Sequence, residues 1–151
     1  APILFYDEIS KIIGACHAGW RGSINGIIET TVSNMESLGA KRNNIISIIG
    51  PTIHKESYEI KKDLALMVKE TKFYKNNRSI LLQVNQDKYL FDLPLLIKES
   101  LKFSKINNFG DIDINTYEKS DLFFSHRKST HENFPKQGKT GRHISVIGLI
   151  S

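Results

Sequence analysis

The apolar residues of this chain follow two different periods that alternate along it, and this alternation constrains the fold more than any other feature. Residues 3–6 and 11–16 are rich in β-branched and apolar side chains and flank a short polar stretch, which predicts two strands in a hairpin. From Ser23, a residue type favoured at helix N-caps, apolar side chains recur near the helical period until Gly39. The pattern predicts a mixed α/β fold.

The alternation continues to the end of the chain. Further strands are predicted at 45–49, 80–84, 89–91, 112–114 and 144–150. The last of these is nearly continuous in apolar residues, which predicts burial on both faces. Two further helices are predicted, one from about Lys61 and one from Asp92, a suitable cap before Pro94. Since there is no internal repeat and no linker, we expect residues 1–151 to form a single domain.

Composition excludes several classes of protein. The chain is 40% hydrophobic without an apolar run long enough to cross a bilayer, and its eight Phe and five Tyr are too many for a disordered chain. A single cysteine rules out an internal disulfide. With no basic and then apolar signal segment at the start, the expected location is the cytoplasm.

The densest chemical signal is the segment GACHAGWRGS at 14–23, between a predicted strand and the first helix. Its glycines let backbone approach a ligand closely, and His17 followed by Arg21 supplies an imidazole and a guanidinium suited to a metal or to phosphate. The alternative is a glycine-rich turn with a hydrogen-bonded histidine. Cys16 is expected to point into the core, because consecutive strand side chains face opposite sides.

A second signal is the basic character of residues 126–143. Five cations face one carboxylate, Glu132, in a chain whose whole net charge is +5; the cations are Arg127, Lys128, Lys136, Lys139 and Arg142. A nucleic-acid surface would spread its cations along a face, so a cluster confined to one segment favours a local anion site. The alternative is a solvated loop with no ligand.

Other polar candidates are weaker. GKTG at 138–141 is not a phosphate-binding Walker motif, because Asn133 occupies the position of its first glycine and no helix is predicted to follow. His54, His126 and His131 lack the spacing of metal ligands and are interpreted as loop residues.

Four motifs occur together in one order. They are HAGWRG at 17–22, Gly50-Pro51 with Ile53 and Tyr58 downstream, FDL at 91–93, and FFSHR at 123–127 followed by Gly141-Arg142. This combination resembles the laccase-domain family, also called the YfiH or polyphenol oxidoreductase family, whose members act as purine nucleoside phosphorylases. The resemblance implies a layered α/β/β/α mixed-sheet fold. It covers only part of the family domain, so we expect the chain to be the C-terminal portion of one that lacks its N-terminal part.

The resemblance also implies a metal, zinc or alternatively copper, held by an early His, a Cys and the His of HAGWRG. Only His17 carries over. The family's Cys lies immediately before the strand that matches residues 2–5, so Cys16 does not match it. The other ligands are therefore expected to be missing from this chain, and one imidazole does not hold zinc usefully, because catalytic sites have about three protein ligands.

Three departures from the family pattern bear on substrate contact. His126 and Lys128 replace the Tyr and the second Arg of the motif FFSYRR, an insert through 133–135 precedes Gly141, and Asn115 stands where the family often has Cys.

By resemblance, the activity is phosphorolysis of adenosine, inosine and methylthioadenosine to the base and a sugar 1-phosphate, with adenosine deamination. We expect His17 to bind the metal and to act in catalysis with Arg21. Arg21 and Gly22 are expected to bind phosphate or orient the ligand, while Arg127 and Arg142 close the site. A structural role for these arginines, such as capping the last strand, is the alternative.

Other functions stay open at this point. Relatives have also been proposed to be Cys–His hydrolases of peptidoglycan precursors, which would need the same missing Cys, or polyphenol oxidases, and the chain could be a non-catalytic truncated remnant. The expected partners are a purine nucleoside and phosphate, with neither nucleic acid nor membrane. We also expect self-association through exposed strand edges and apolar surface.

Overall fold

The computed structural model describes residues 1–132 and 140–150, which form a mixed α/β fold with two sheets. The strands are β1 (Pro2–Asp7), β2 (Ile12–His17), β3 (Ile45–Ile49), β4 (Glu59–Lys61), β5 (Leu81–Gln83), β6 (Lys88–Phe91) and β7 (Asn108–Asp111). The helices are α1 (Trp20–Ile24), α2 (Ile27–Ser37), α3 (Lys62–Glu70), α4 (Lys72–Asn76), α5 (Leu93–Phe103) and α6 (His126–Glu132). None of these helices is long and apolar enough to cross a bilayer.

The first sheet has four strands in the order β2-β1-β3-β7. β1 pairs antiparallel with both β2 and β3, and β3 pairs in parallel with β7. The predicted hairpin is confirmed, with Pro2 opposite His17 at its open end. Its turn is held by Asp7, whose Oδ1 accepts from the N–H groups of Ile9 and Ser10 at 3.0 Å each.

The second sheet has three antiparallel strands in the order β4-β6-β5. The predicted strands on either side of residues 85–87 are confirmed. Their turn is closed by Asn85, whose Oδ1 accepts from the backbone N–H groups of Asp87 and Lys88 at 3.0 Å each.

The predicted helix starting at Ser23 is wrong at its beginning. Helical structure begins earlier, at Trp20, and Ser23 is fully buried inside α1 rather than capping a helix. The chain then breaks at Gly26, whose φ of 84° lies in the left-handed region, before α2 begins at Ile27. A residue with a side chain rarely adopts that conformation, so this glycine separates two helices that share one apolar period.

The later helices are confirmed with changes. Asp92 caps α5 as predicted, its Oδ1 accepting from the N–H of Leu95 at 2.8 Å. The helix expected from Lys61 begins at Lys62, and Met67 on this helix is 52% exposed. It ends at Glu70 because Thr71 caps the separate helix α4.

Two predicted strands are wrong. The strand expected at 112–114 lies instead at 108–111, where β7 pairs with β3, and the left-handed φ of 57° at Asp113 follows its end. Residues 144–150 form no strand, and Ile144 and Val146 are 86% and 71% exposed. Among the described residues this segment pairs with no strand, and an apolar run alone does not supply a partner for its backbone.

The four-stranded sheet has two unlike faces. α2 packs on the face that carries Ile3, Phe5 and Ile49, all fully buried, and α5 packs against α1 and α2. We call this the buried face. The opposite side, which we call the open face, carries partly or fully exposed side chains: Pro2, Leu4, Tyr6, Ile13, Ala15, His17, Ile46 and Ile48. The side-chain period of two along each strand assigns residues to the faces.

Candidate functional site

A cleft of about 1680 Å³ opens at the end of the first sheet where β1 begins and β2 and β3 end. Its lining includes the open face, the turn after β2, the loop after β3, the segment 123–127 and the segment 140–145. Among the sequence-predicted site residues, His17, Arg127 and Arg142 line it, and Arg21 and Gly22 do not.

His17 ends β2 on the open face, and its side chain lines the cleft. Gly19 lies against the imidazole, since a Cβ at position 19 would come within 3.0 Å of His17 Nε2.

Cys16 lies on the other face of the same strand and packs against the core, as predicted. Burial raises the pKa of its thiol, which a hydrogen bond with Thr31 only partly opposes. A thiol with a raised pKa is a poor nucleophile at neutral pH. The adjacent positions of Cys16 and His17 therefore do not make a catalytic pair.

Trp20 lines the cleft, and Arg21 stacks on it from outside. The guanidinium carbon of Arg21 is 5.0 Å from the centre of the Trp20 ring, within the range of a cation–π contact. Gly22 has a packing role, because a Cβ there would lie 3.3 Å from the carbonyl oxygen of His17. The structure thus places Arg21 beside a cleft residue rather than in the cleft.

Arg127, in α6, is half-buried and held by Tyr58. Its guanidinium carbon is 5.2 Å from the centre of the Tyr58 ring, which itself packs on Phe91 at 5.3 Å between ring centres. Burial raises the pKa of Tyr58, and the neighbouring Arg127 charge opposes that rise. The contact restricts the guanidinium to the cleft wall without neutralising its charge.

Arg142 is exposed, and the residues on either side of it in the chain, Gly141 and His143, both contact Phe124. A Cβ on Gly141 would lie 2.5 Å from the Phe124 ring, so the backbone at 141 sits flat against that ring. His143 Nε2 lies 2.7 Å from the amide nitrogen and 3.0 Å from the carbonyl oxygen of Phe124. These contacts hold the backbone on both sides of Arg142 at the cleft.

Lys128, the other described cation of the basic segment, does not line the cleft. Lys128 Nζ lies 2.8 Å from Ser120 Oγ and 3.7 Å from Glu132 Oε1. Lys136, Lys139, Gly138 and the insert at 133–135 lie outside the described residues. Of the weaker histidines, His126 lines the cleft, whereas His131 Nδ1 lies 3.0 Å from the hydroxyl of Tyr117.

The structural role of Asn115 was not recognised from the sequence. Asn115 joins the loop after β3 to the segment after β7: its Nδ2 donates to Ser57 Oγ at 2.9 Å, and its Oδ1 accepts from the N–H of Tyr117 at 3.1 Å. Thr52 also pairs with this segment through a parallel bridge. The sequence signal was the departure from the family's Cys at this position.

The described residues do not by themselves make a metal site. Within 1–132 and 140–150, no three His, Cys, Asp or Glu side chains are grouped closely enough to hold a metal ion. Catalytic zinc sites have about three protein ligands, so His17 alone does not fit zinc or copper.

The chain matches the family described as multi-copper polyphenol oxidoreductase laccase over residues 1–150. It is 36% identical over 146 residues to a purine nucleoside phosphorylase of Rickettsia prowazekii, covering 91% of this chain and 56% of that protein. It is 31% identical over 151 residues to the purine nucleoside phosphorylase YfiH of Shigella flexneri, covering 99% and 56%. The chain spans about half the length of the curated relatives that it matches.

Solved structures share the fold. A Neisseria meningitidis protein superimposes with a TM-score of 0.75 at 25% identity, over 84% of this chain and 50% of its own. A Bacillus licheniformis protein named YfiH gives 0.77 at 24% identity, over 84% and 48%. The expected family fold is confirmed by these superpositions.

Proposed function

Because the chain belongs to the multi-copper polyphenol oxidoreductase laccase family, we propose that its cleft binds a purine nucleoside and phosphate and serves phosphorolysis of the nucleoside. The observation that carries the proposal is that Arg127 and Arg142, far from His17 in sequence, line the same cleft as His17 and Trp20. The relatives named purine nucleoside phosphorylase support the substrate class.

In the proposed reaction, a phosphate oxygen attacks C1′ of the sugar as the bond from C1′ to the base nitrogen breaks. The electron pair of that bond leaves with the base, and the base takes up the proton that the phosphate loses as it becomes the sugar 1-phosphate, the second product. Arg127 and Arg142 hold the phosphate near C1′, because guanidinium groups bind phosphate oxygens with paired N–H donors. Two cations also offset the charge that the nucleophile brings into the cleft.

Arg21 and Gly22 take indirect roles in this proposal. Arg21 acts through Trp20, whose ring it holds at the cleft wall. Arg21→Gln is expected to raise KM for the nucleoside with little change in kcat. Arg21→Lys is expected to raise KM less, because a lysine keeps a cation over the ring. A loss of kcat alone in Arg21→Gln would point instead to contact with the reacting groups.

His17 is proposed as one ligand of a metal, zinc or copper, whose remaining ligands would come from outside the described residues. No step above uses the metal. Because one imidazole does not hold zinc, the test needs a polypeptide in which this chain is joined to the further ligands. Its zinc content, measured by elemental analysis after dialysis, is expected to fall in His17→Ala and to stay unchanged in His54→Ala. Equal zinc in both variants would remove His17 from the site.

The finer activities are tested by one set of assays. Release of hypoxanthine from inosine, and of adenine from adenosine and methylthioadenosine, is followed with and without phosphate, and deamination is followed as inosine formed from adenosine. Arg127→Gln and Arg142→Gln should each lower kcat/KM for phosphate by about 100-fold, the scale for removing one charged contact to the transition state. Lys128→Gln is the matched control, since that lysine bonds to Ser120 instead.

If the chain releases no base from nucleosides in the presence of phosphate, the proposal is wrong and the chain is better described as a non-catalytic remnant. A Cys–His hydrolase has no support from the geometry, because the one cysteine of the sequence faces the core.

A further inference from the structure

An aromatic cluster lies in the cleft and takes no part in the reaction proposed above. It consists of Phe123, Phe124 and His143, with ring centres of His143 5.4 Å from Phe123 and 5.2 Å from Phe124. All three side chains line the cleft, and Phe124 is 56% exposed. A large apolar ring left half in water at the wall of a cleft suggests a surface for a ligand.

The Phe124 ring is held in place by the backbone of Gly141 and the imidazole of His143. The backbone of Gly141 lies against the ring so closely that a Cβ at 141 would overlap it at 2.5 to 2.7 Å. The imidazole of His143 lies at 30° to the ring, and the N–H of Phe124 donates to His143 Nε2 at 2.7 Å. The ring is therefore kept at the cleft wall rather than free to fold into the core, and a fixed ring loses little entropy on binding.

The chemistry of the cluster differs from that of the rest of the cleft. Its rings offer flat apolar surface, while Arg127 and Arg142 offer positive charge. Arg142 lies between Gly141 and His143 in the chain, so one short segment carries both a cation and the contacts that fix the aromatic ring. A ligand with a charged group and a planar ring matches this division.

From this arrangement we infer that Phe124, supported by Phe123 and His143, is the stacking surface for the purine base. The inference rests on the proposed function and assigns the base to one end of the cleft, with phosphate beside the two arginines. Stacking on an aromatic side chain tolerates different bases because every base has a π-face. Adenine and hypoxanthine should therefore both bind there.

The test is binding of free adenine in the absence of phosphate. Trp20 is the one tryptophan of the sequence and lines the cleft, so its fluorescence reports occupancy directly, with calorimetry as a second measurement. Phe124→Leu, which keeps apolar volume but removes the ring, is expected to raise Kd for adenine about 10-fold or more. Phe124→Tyr, which keeps a ring, should bind as the wild type does.

Phe103→Leu is the matched control, because Phe103 is also partly exposed, at 41%, but lies outside the cleft lining. It should leave Kd for adenine unchanged. Unchanged adenine binding in Phe124→Leu would overturn the inference. A Phe124→Leu variant that changes only in oligomeric state would also overturn it. So would a wild-type chain that binds no adenine by either method.

The outcomes also separate this inference from the proposed function. A chain that binds adenine through Phe124 but releases no base from nucleosides supports the subsite and overturns phosphorolysis. A chain that releases base with the same KM for inosine before and after Phe124→Leu supports phosphorolysis and overturns the subsite.

Discussion

The two faces of the four-stranded sheet are built by the same strands, yet they differ in almost every property. On the buried face, Ile3, Phe5 and Ile49 are fully buried beneath the helices. On the open face, Leu4 and Ile48 are only partly buried and Ile46 is 42% exposed. The cleft opens on this second face, where Leu4, Ala15 and His17 line it.

The difference separates stability from function within single strands. Removing apolar surface from water stabilises the fold by roughly 25 cal/mol per Å², and the buried face has already gained this stabilisation. The open face retains apolar surface that a ligand or another polypeptide can still cover. Substitutions on the two faces should therefore act on different measurements.

The largest effect is expected from Phe5→Ala compared with Leu4→Ala. The residues are adjacent in β1 and point to opposite faces. Truncating the buried phenylalanine should lower the free energy of unfolding by about 3–5 kcal/mol, because it leaves a cavity in packed surroundings. Leu4→Ala should cost about 1–2 kcal/mol, since less of that side chain is removed from water. Urea unfolding gives both values, and equal losses would contradict the distinction between the faces.

A pH-dependent effect is expected at Asp7, which is fully buried on the buried face. The pKa of Asp7 is lowered, first by the N–H of Lys41, 2.8 Å from Oδ2, and then by the N–H groups of Ser10 and Ile9. Its contribution to stability is present above the unfolded pKa of about 3.9 and is lost as pH falls through the lower folded value.

Asp7→Asn should therefore destabilise the protein at neutral pH, because an amide N–H₂ would face the Lys41 N–H, and the gap from wild type should narrow below about pH 4. Thermal melts across pH measure this. Asp121→Asn, at an exposed position, is the control. A gap that stays constant with pH would show that the Asp7 charge is not the cause.

A smaller effect, on association, is expected at Ile46. Exposed apolar surface on the open face should promote self-association, so Ile46→Lys should shift the chain towards monomer in sedimentation experiments. Ile9→Lys is the control, because Ile9 is 77% exposed but sits in the hairpin turn, away from that face. If both variants behave alike, the open face is not the contact.

The smallest effect on stability is expected at His17. Its side chain lies on the open face and is exposed, so His17→Ala should change the free energy of unfolding by no more than about 0.5 kcal/mol. Urea unfolding should give a lower free energy of unfolding for Cys16→Ala than for His17→Ala, because Cys16→Ala removes a group packed on the core. The reverse order would contradict the assignment of the two faces.

Much of the fold could be predicted because its signals are local. The hairpin, β3 and the Asp92 cap follow from apolar periods and capping chemistry within a few residues. The strand predicted at 144–150 was wrong because a strand needs a partner for its backbone, which an apolar run does not reveal. The helix predicted from Ser23 was wrong at its beginning, because the apolar period reveals neither the start of α1 at Trp20 nor the left-handed turn at Gly26.

The candidate site shows the same division. The HAGWRG motif by itself located the candidate site in the sequence, and the strand period was enough to put Cys16 and His17 on opposite faces. Only the tertiary structure brought Arg127 and Arg142 to His17 and left Arg21 outside the cleft on Trp20. The alternation of side chains along a strand is a property of the local backbone. Contacts between segments that are distant in sequence depend instead on the packing of the whole core, to which each residue contributes only a small part.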